Sequence, residues 1–216
     1  MLPDLRRKRE WKLPDASRPE PPGSAAEPSV WSRRPGSPRF DESGMLAAMN
    51  PTDPYPLLAR FNRWVNRRYY ALLAALEDAE RKRDRRVFFG SIHDTLNHLL
   101  VVDQLWLDRL QGRINEIRAL NQVLYEDFDA LRAARERMDE RIIRYVEGLD
   151  AAALARPLRY KFISGTAAET PLHLLLVTLF NHQTHHRGQI HALMTQAGLK
   201  PPDSDVIDYL DEEPAG

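Results

Sequence analysis

The sequence predicts an all-α protein, a four-helix bundle that carries a disordered, proline-rich N-terminal tail. Three observations predict it. Apolar residues recur at helical spacing in four long stretches after residue 54. The connections between those stretches are short, which favours packing as neighbours in a bundle. The first 44 residues, by contrast, hold eight of the sixteen prolines, scattered among charges and small side chains as in RPEPPGSAAEPSVWSRRPGSPRF. Such a segment buries too little apolar surface to offset the entropy of ordering it, so disorder is expected.

The expected organisation is therefore a tail over residues 1–44 and a helical domain over residues 50–210. Met45 and Met49 follow the tail, leaving two readings open: a genuine flexible arm, or an extension upstream of a later start.

The first helix is expected from about Tyr55 to Arg81, with Leu57, Leu58, Phe61, Trp64, Val65 and Tyr69 as its apolar stripe. The second opens at Ser91, whose hydroxyl can cap the first turn while Asp94 takes the reciprocal position, and ends near Gly112. The third spans about Leu124 to Leu149. Its apolar residues Leu124, Phe128, Leu131, Met138, Ile142, Tyr145 and Leu149 alternate in steps of three and four, interrupted only by Arg135. The alternation of Leu158, Tyr160 and Phe162 before Ser164-Gly165 suggests a short extended piece or hairpin. The fourth helix then starts with Thr170 as cap and Pro171 at its first position, and Gly198 with Pro201-Pro202 closes it.

Composition excludes several function classes. There is no cysteine, hence no disulfide, no thiolate nucleophile and no Cys-ligated zinc, and the cysteine-dependent zinc deaminases are ruled out. Lys plus Arg and Asp plus Glu number 31 each, so no net field draws the chain to nucleic acid or an anionic membrane. No apolar run is long enough to span a bilayer, and Met1 is not followed by the apolar core of a signal peptide. A cytoplasmic protein with no nucleic-acid or membrane partner is the expectation.

The chemistry concentrates in FNHQTHHRGQI, where three of the seven histidines fall within five positions: His182, His185 and His186. His182 and His186, four residues apart on a helix, lie on one face within about 40°. Two neutral imidazoles at that spacing can reach one divalent ion. His185 competes, since its three-residue spacing from His182 also places it on that side. A third ligand must come from elsewhere. On the second helix His93 and His98 point about 140° apart. His98 shares its sector with Val102 and Leu105 and is expected inward, whereas His93, beside Asn97, Gln104 and Gln111, is expected to be solvated. His173 falls on the far side of the fourth helix and reads as structural, and His191 reads as surface. A di-iron carboxylate bundle would need inward glutamates in Glu-x-x-His pairs, which the second and fourth helices lack.

HQTHHRGQI also fits the pattern of a histidine, three residues and His-Arg-Gly-Gln. Together with LNHLLVVDQLW and AGLKPPDSDVIDYL, it resembles the DinB family of the DinB/YfiT-like superfamily, over about Asn50 to Leu210. The resemblance implies a four-helix bundle, usually a homodimer, with a three-histidine divalent metal site. Its ligands would fall on His98, His182 and His186. The position of His185 is commonly aromatic in relatives, and the His-Arg-Gly-Gln register selects His186 over it. Zinc, nickel or iron is the implied ion, with a low-molecular-weight thiol as a further cofactor. Asp94, Asn97 and Asn181 are expected to orient the rings. Arg187 is expected in a surface or interhelix salt bridge, with an anionic substrate group as its other use, and Gly188 in close helix packing.

Two functions follow from the resemblance. One is a metal-dependent enzyme, a thiol-dependent transferase or a hydrolase, acting on an unassigned small molecule with no catalytic residue identifiable beyond the metal set. The other is a non-catalytic metal-binding module for stress response or interaction.

Overall fold

A computed structural model describes residues 54–212, and the proline-rich tail lies outside the described residues. The element order is α1 (Tyr55–Leu73), α2 (Asp78–Arg81), α3 (Ile92–Leu110), α4 (Phe128–Glu147), α5 (Ala151–Ala155), β1 (Pro157–Lys161), β2 (Ala167–Pro171), α6 (Leu172–Gln196) and α7 (Val206–Glu212). Four of these, α1, α3, α4 and α6, are long and form the bundle. α1 packs chiefly on α4, and α3 chiefly on α6. Their inward stripes meet in one core that includes Val65, Leu73, Ile92, Leu107, Leu131, Leu176 and Leu179, all fully buried. Burial of this kind supplies most of a bundle's stability, at about 1.5–3 kcal/mol for each large apolar side chain.

The expected helices are present with shifted ends, and each shift has a local cause. The first stops at Leu73 instead of Arg81 because Glu77 turns extended. Arg81 then folds back, donating from Nη1 to the Leu73 carbonyl at 3.2 Å and also to that of Leu76. Its guanidinium lies over the Phe128 ring, 4.3 Å from the centroid. The residue expected to end the helix thus caps it from outside. α3 starts as expected, with Ser91 Oγ accepting from the Asp94 amide at 3.0 Å. α4 starts at Phe128 instead of Leu124. Asp127 caps it by accepting from the Ala130 amide at 2.8 Å, and the Leu124 and Tyr125 amides donate instead to Asn97 Oδ1 at 2.9 and 3.0 Å.

The hairpin expected around Ser164-Gly165 is the antiparallel pair β1–β2, with Leu158 opposite Thr170 and Pro157 opposite Pro171. Gly165 sits in its turn at φ +87°, a conformation that costs glycine little. Thr170 is therefore a strand residue instead of a helix cap, and Pro171 is the N-cap of α6, ahead of its first position. Pairing with β1 outweighs the capping chemistry of Thr-Pro. α7, which the periodicity did not announce, presses Tyr209 edge-on against Trp64 and Phe61, with centroids 5.8 and 6.1 Å apart.

Arg135, the interruption in the stripe of α4, is buried. Its Nη1 donates to Asp103 Oδ2 at 2.6 Å, and its Nη2 lies 2.9 Å from Asp139 Oδ1. Asn62 and Asn66 of α1 donate to Asp139, and Gln183 of α6 donates to Asp103 at 2.9 Å. This polar layer ties all four long helices together at one level. Among the described residues, no helix is long and apolar enough to cross a membrane.

Candidate metal centre

α3 and α6 carry three histidines to one point. His98 Nε2 lies 3.1 Å from His182 Nε2 and 3.2 Å from His186 Nε2. Among the described residues this trio is the single group of three or more His, Asp or Glu side chains close enough to share an ion. His98 is 4% and His186 7% exposed, while His182 is half-buried. The four-residue step on α6 puts both of its rings on the side facing α3, and His98 meets them from the opposite helix.

The protonation pattern suits a cation. His98 Nδ1 lies 2.7 Å from the Leu120 carbonyl, an acceptor, so the ring proton sits on Nδ1 and Nε2 presents its lone pair. His186 Nδ1 likewise donates to Gln189 Oε1 at 2.7 Å. Two lone pairs therefore face each other at 3.2 Å, an arrangement a shared cation resolves. Two nitrogens bound to a tetrahedral zinc at its usual bond length stand about 3.4 Å apart, so the trio fits with little rearrangement. His182 Nδ1 is buried and has no hydrogen-bond partner among the described residues.

Burial also keeps the rings neutral. Desolvation pushes the pKa of His182 down to about 3, reinforced by the neighbouring His186, His98 and His185. Desolvation pushes His186 down to about 4, against the opposing bond it donates to Gln189. His98 is lowered by the same cause, opposed by its bond to Leu120. Neutral imidazole is the form that ligates.

The trio opens on a cavity of about 920 Å³. One wall comes from the turn before α3. Arg86 adopts φ 55° there, and the Gly90 amide donates to the Val87 carbonyl at 2.9 Å, closing a tight turn with Phe88 and Phe89 at its tip. Phe89 stacks on His98, with centroids 3.8 Å apart and planes 21° from parallel, and meets His186 edge-on. Another part of the wall is the irregular segment that includes Leu120 and Asn121. It is pinned to α3 by Asn97, which donates to the Tyr125 carbonyl at 3.1 Å, and by His93, whose Nε2 lies 2.8 Å from the same oxygen.

The structure thus brings His98, His182 and His186 together and sets His185 apart, exposed, with its Nε2 3.1 Å from the Gln189 amide nitrogen. Several expectations are corrected. His93 is only 1% exposed, not solvated, because the loop carbonyl of Tyr125 needs its ring. Asn97 holds that loop and Asp94 bonds Ser91, so neither orients a ligand ring, and Asn181 is exposed. The rings are oriented by Leu120 and Gln189, which sequence reasoning missed. Arg187 is buried, not on the surface, and is bonded to Asn62 of α1 and to Thr184 at 3.2 Å, with no salt bridge among the described residues. Gly188 faces open space and serves no close packing. His173 Nδ1 lies 3.1 Å from the Leu154 carbonyl, as a structural histidine should. His191 is on the surface as expected, its Nδ1 3.2 Å from the Tyr69 hydroxyl.

A four-helix bundle that gathers three neutral histidines at the floor of an open cavity defines a class of helical proteins with an all-nitrogen site. The chain belongs to the DinB family, whose sequence model matches residues 45–215. It is 28% identical over 159 residues to the protein named Protein DinB of Bacillus subtilis (strain 168), covering 71% of this chain and 91% of that relative. Its backbone matches the crystal structure of a DinB-like protein from Bacillus cereus ATCC 10987 with a TM-score of 0.53 and 18% identity, over 68% of this chain and 94% of that one. At that identity the likeness speaks for the fold alone.

Proposed function

We propose that the chain is a divalent-metal enzyme in which His98, His182 and His186 hold the ion and a small molecule reacts in the cavity above it. The observation that carries this reading is the convergence of the three Nε2 atoms at the floor of a cavity of about 920 Å³ instead of inside a closed core. When bound, the ion supplies Lewis acidity, which lowers the pKa of a coordinated water or thiol toward neutrality. Leu120 and Gln189 fix the tautomers that aim the nitrogens, and Phe89 shields one face of His98 from water. Three neutral ligands cancel none of the ion's charge and leave a coordination position for the reactant. Zinc, nickel and iron suit such a donor set, and a low-molecular-weight thiol is the co-reactant this reading favours.

The reading extends to assembly and setting. Leu174 and Val177, one turn apart on α6, are exposed and supply an apolar face on which a second copy of the chain can pack as a homodimer. The balanced charge argues for a cytoplasmic small-molecule substrate over a nucleic acid.

The test is turnover. Metal-free and metal-reconstituted protein are compared for consumption of a small thiol against a panel of electrophiles, and for hydrolysis of activated esters and amides. Turnover that requires the ion and disappears in His186→Ala supports the enzyme. A tightly held ion that supports turnover in neither panel, and whose cobalt-substituted absorption spectrum ignores added thiol, contradicts it and leaves the non-catalytic metal-binding module.

A further inference from the structure

The lining of the cavity says what kind of molecule it accepts. Among the described residues, Asp94 is the one ionisable side chain besides the imidazoles that lines it, and neither Lys nor Arg does. Its carboxylate is aimed by the helix cap, with Oδ2 accepting from Ser91 Oγ at 2.6 Å. The buried cation of the motif, Arg187, is committed elsewhere, to Asn62 and Thr184. At the mouth stands Phe88, 89% exposed, held out by the tight turn and packed edge-on against Phe89 with centroids 4.8 Å apart. A phenylalanine so exposed gains little for folding, and it lines the cavity.

We infer that the cavity selects substrates bearing an aromatic or apolar body and a neutral or cationic end, with Phe88 contacting the body and Asp94 the end, and that it disfavours anionic ones. An anionic group remote from the donor atom would meet the Asp94 carboxylate with neither Lys nor Arg among the described lining residues to answer it, the open position on the ion being taken by the donor. A protonated amine would pair with it in a partly desolvated site, where a single charge pair counts for more than on the surface. The inference rests on the proposed function, since it assumes that the donor atom of the substrate is bound at the three-histidine ion.

Cobalt-reconstituted protein tests it by binding, read from the d–d absorption bands and independent of turnover. The probes are three phenylmethanethiols that differ at the para position, carrying an aminomethyl, a methyl or a carboxylate group. The thiol donor is shared, and the para group cannot reach the same ion. The expected order of affinity is aminomethyl, methyl, carboxylate, with the ends separated by about tenfold. Asp94→Asn keeps the cap, because an amide oxygen still accepts from Ser91, and collapses that separation. Phe88→Ala, an exposed change, weakens all three probes together by about threefold or more. Equal or tighter binding of the carboxylate probe, an order unchanged in Asp94→Asn, or an unaffected Phe88→Ala overturns the selectivity while the metal reading stands. No spectral response to any thiol in wild type overturns the selectivity together with the thiol chemistry of the proposed function, and leaves the ion site itself in place.

Discussion

Gln189 Oε1 accepts a hydrogen bond from His186 Nδ1 at 2.7 Å, and the amide nitrogen of the same side chain lies 3.1 Å from His185 Nε2. One glutamine thus sets the tautomer of one imidazole of the trio and engages His185, which stands beside that trio on the cavity lining. Replacing Gln189 with leucine removes the acceptor while keeping a helix former. The expected result is a loss of metal affinity of about 10- to 100-fold, measured by competition with a chromophoric chelator. Unchanged affinity would show that His186 needs no partner to present its Nε2.

The polar layer gives a stability prediction. Arg135 is buried between Asp103 and Asp139, and both carboxylates are pushed up by desolvation while the guanidinium pulls them back. Arg135→Met leaves two buried acids without their cation and should cost about 3–5 kcal/mol in urea unfolding. A loss below about 1 kcal/mol would mean that the layer is hydrated well enough to do without the arginine.

The depressed pKa values of His182 and His186, about 3 and 4, make the metal-free protein acid-sensitive. The folded state resists a proton that the unfolded chain accepts near the ordinary histidine value of about 6.5. The stability linked to these rings is therefore fully present above about pH 6.5 and is lost as pH falls toward about 4. The melting temperature of metal-free wild type, followed by calorimetry from pH 7.5 to 4.5, should fall more steeply than that of His182→Leu. Parallel curves would place the protons elsewhere.

Much of this was legible in the sequence where the signal was local. The four-and-three alternation of Met138, Ile142 and Tyr145 marks a helix wherever it packs, and the four-residue step from His182 to His186 faces both rings one way. His98 could be chosen over His93 because Val102 and Leu105 share its sector. What failed depended on distant partners. His93 is buried by a carbonyl 32 residues away, and Arg187 by an asparagine 125 residues away. The carbonyl of Leu120 leaves no mark in a sequence, because any residue supplies one. Gln189, three residues after His186, shares a helix face with it, so the same spacing argument reaches it. Thr170-Pro171 misled because a cap signal and a strand end use the same residues, and the pairing with β1 decides between them.

The measurement that bears most directly on the central claim is metal content by elemental analysis of tag-free protein, reconstituted with a divalent ion and dialysed. Wild type is compared with His98→Ala, His182→Ala, His185→Ala and His186→Ala, each checked for helicity. The geometry predicts one ion per chain in wild type and in His185→Ala, and loss of the ion in the other three variants. A wild-type protein that holds no stoichiometric ion, or a His185→Ala variant that loses it, would contradict the three-histidine centre.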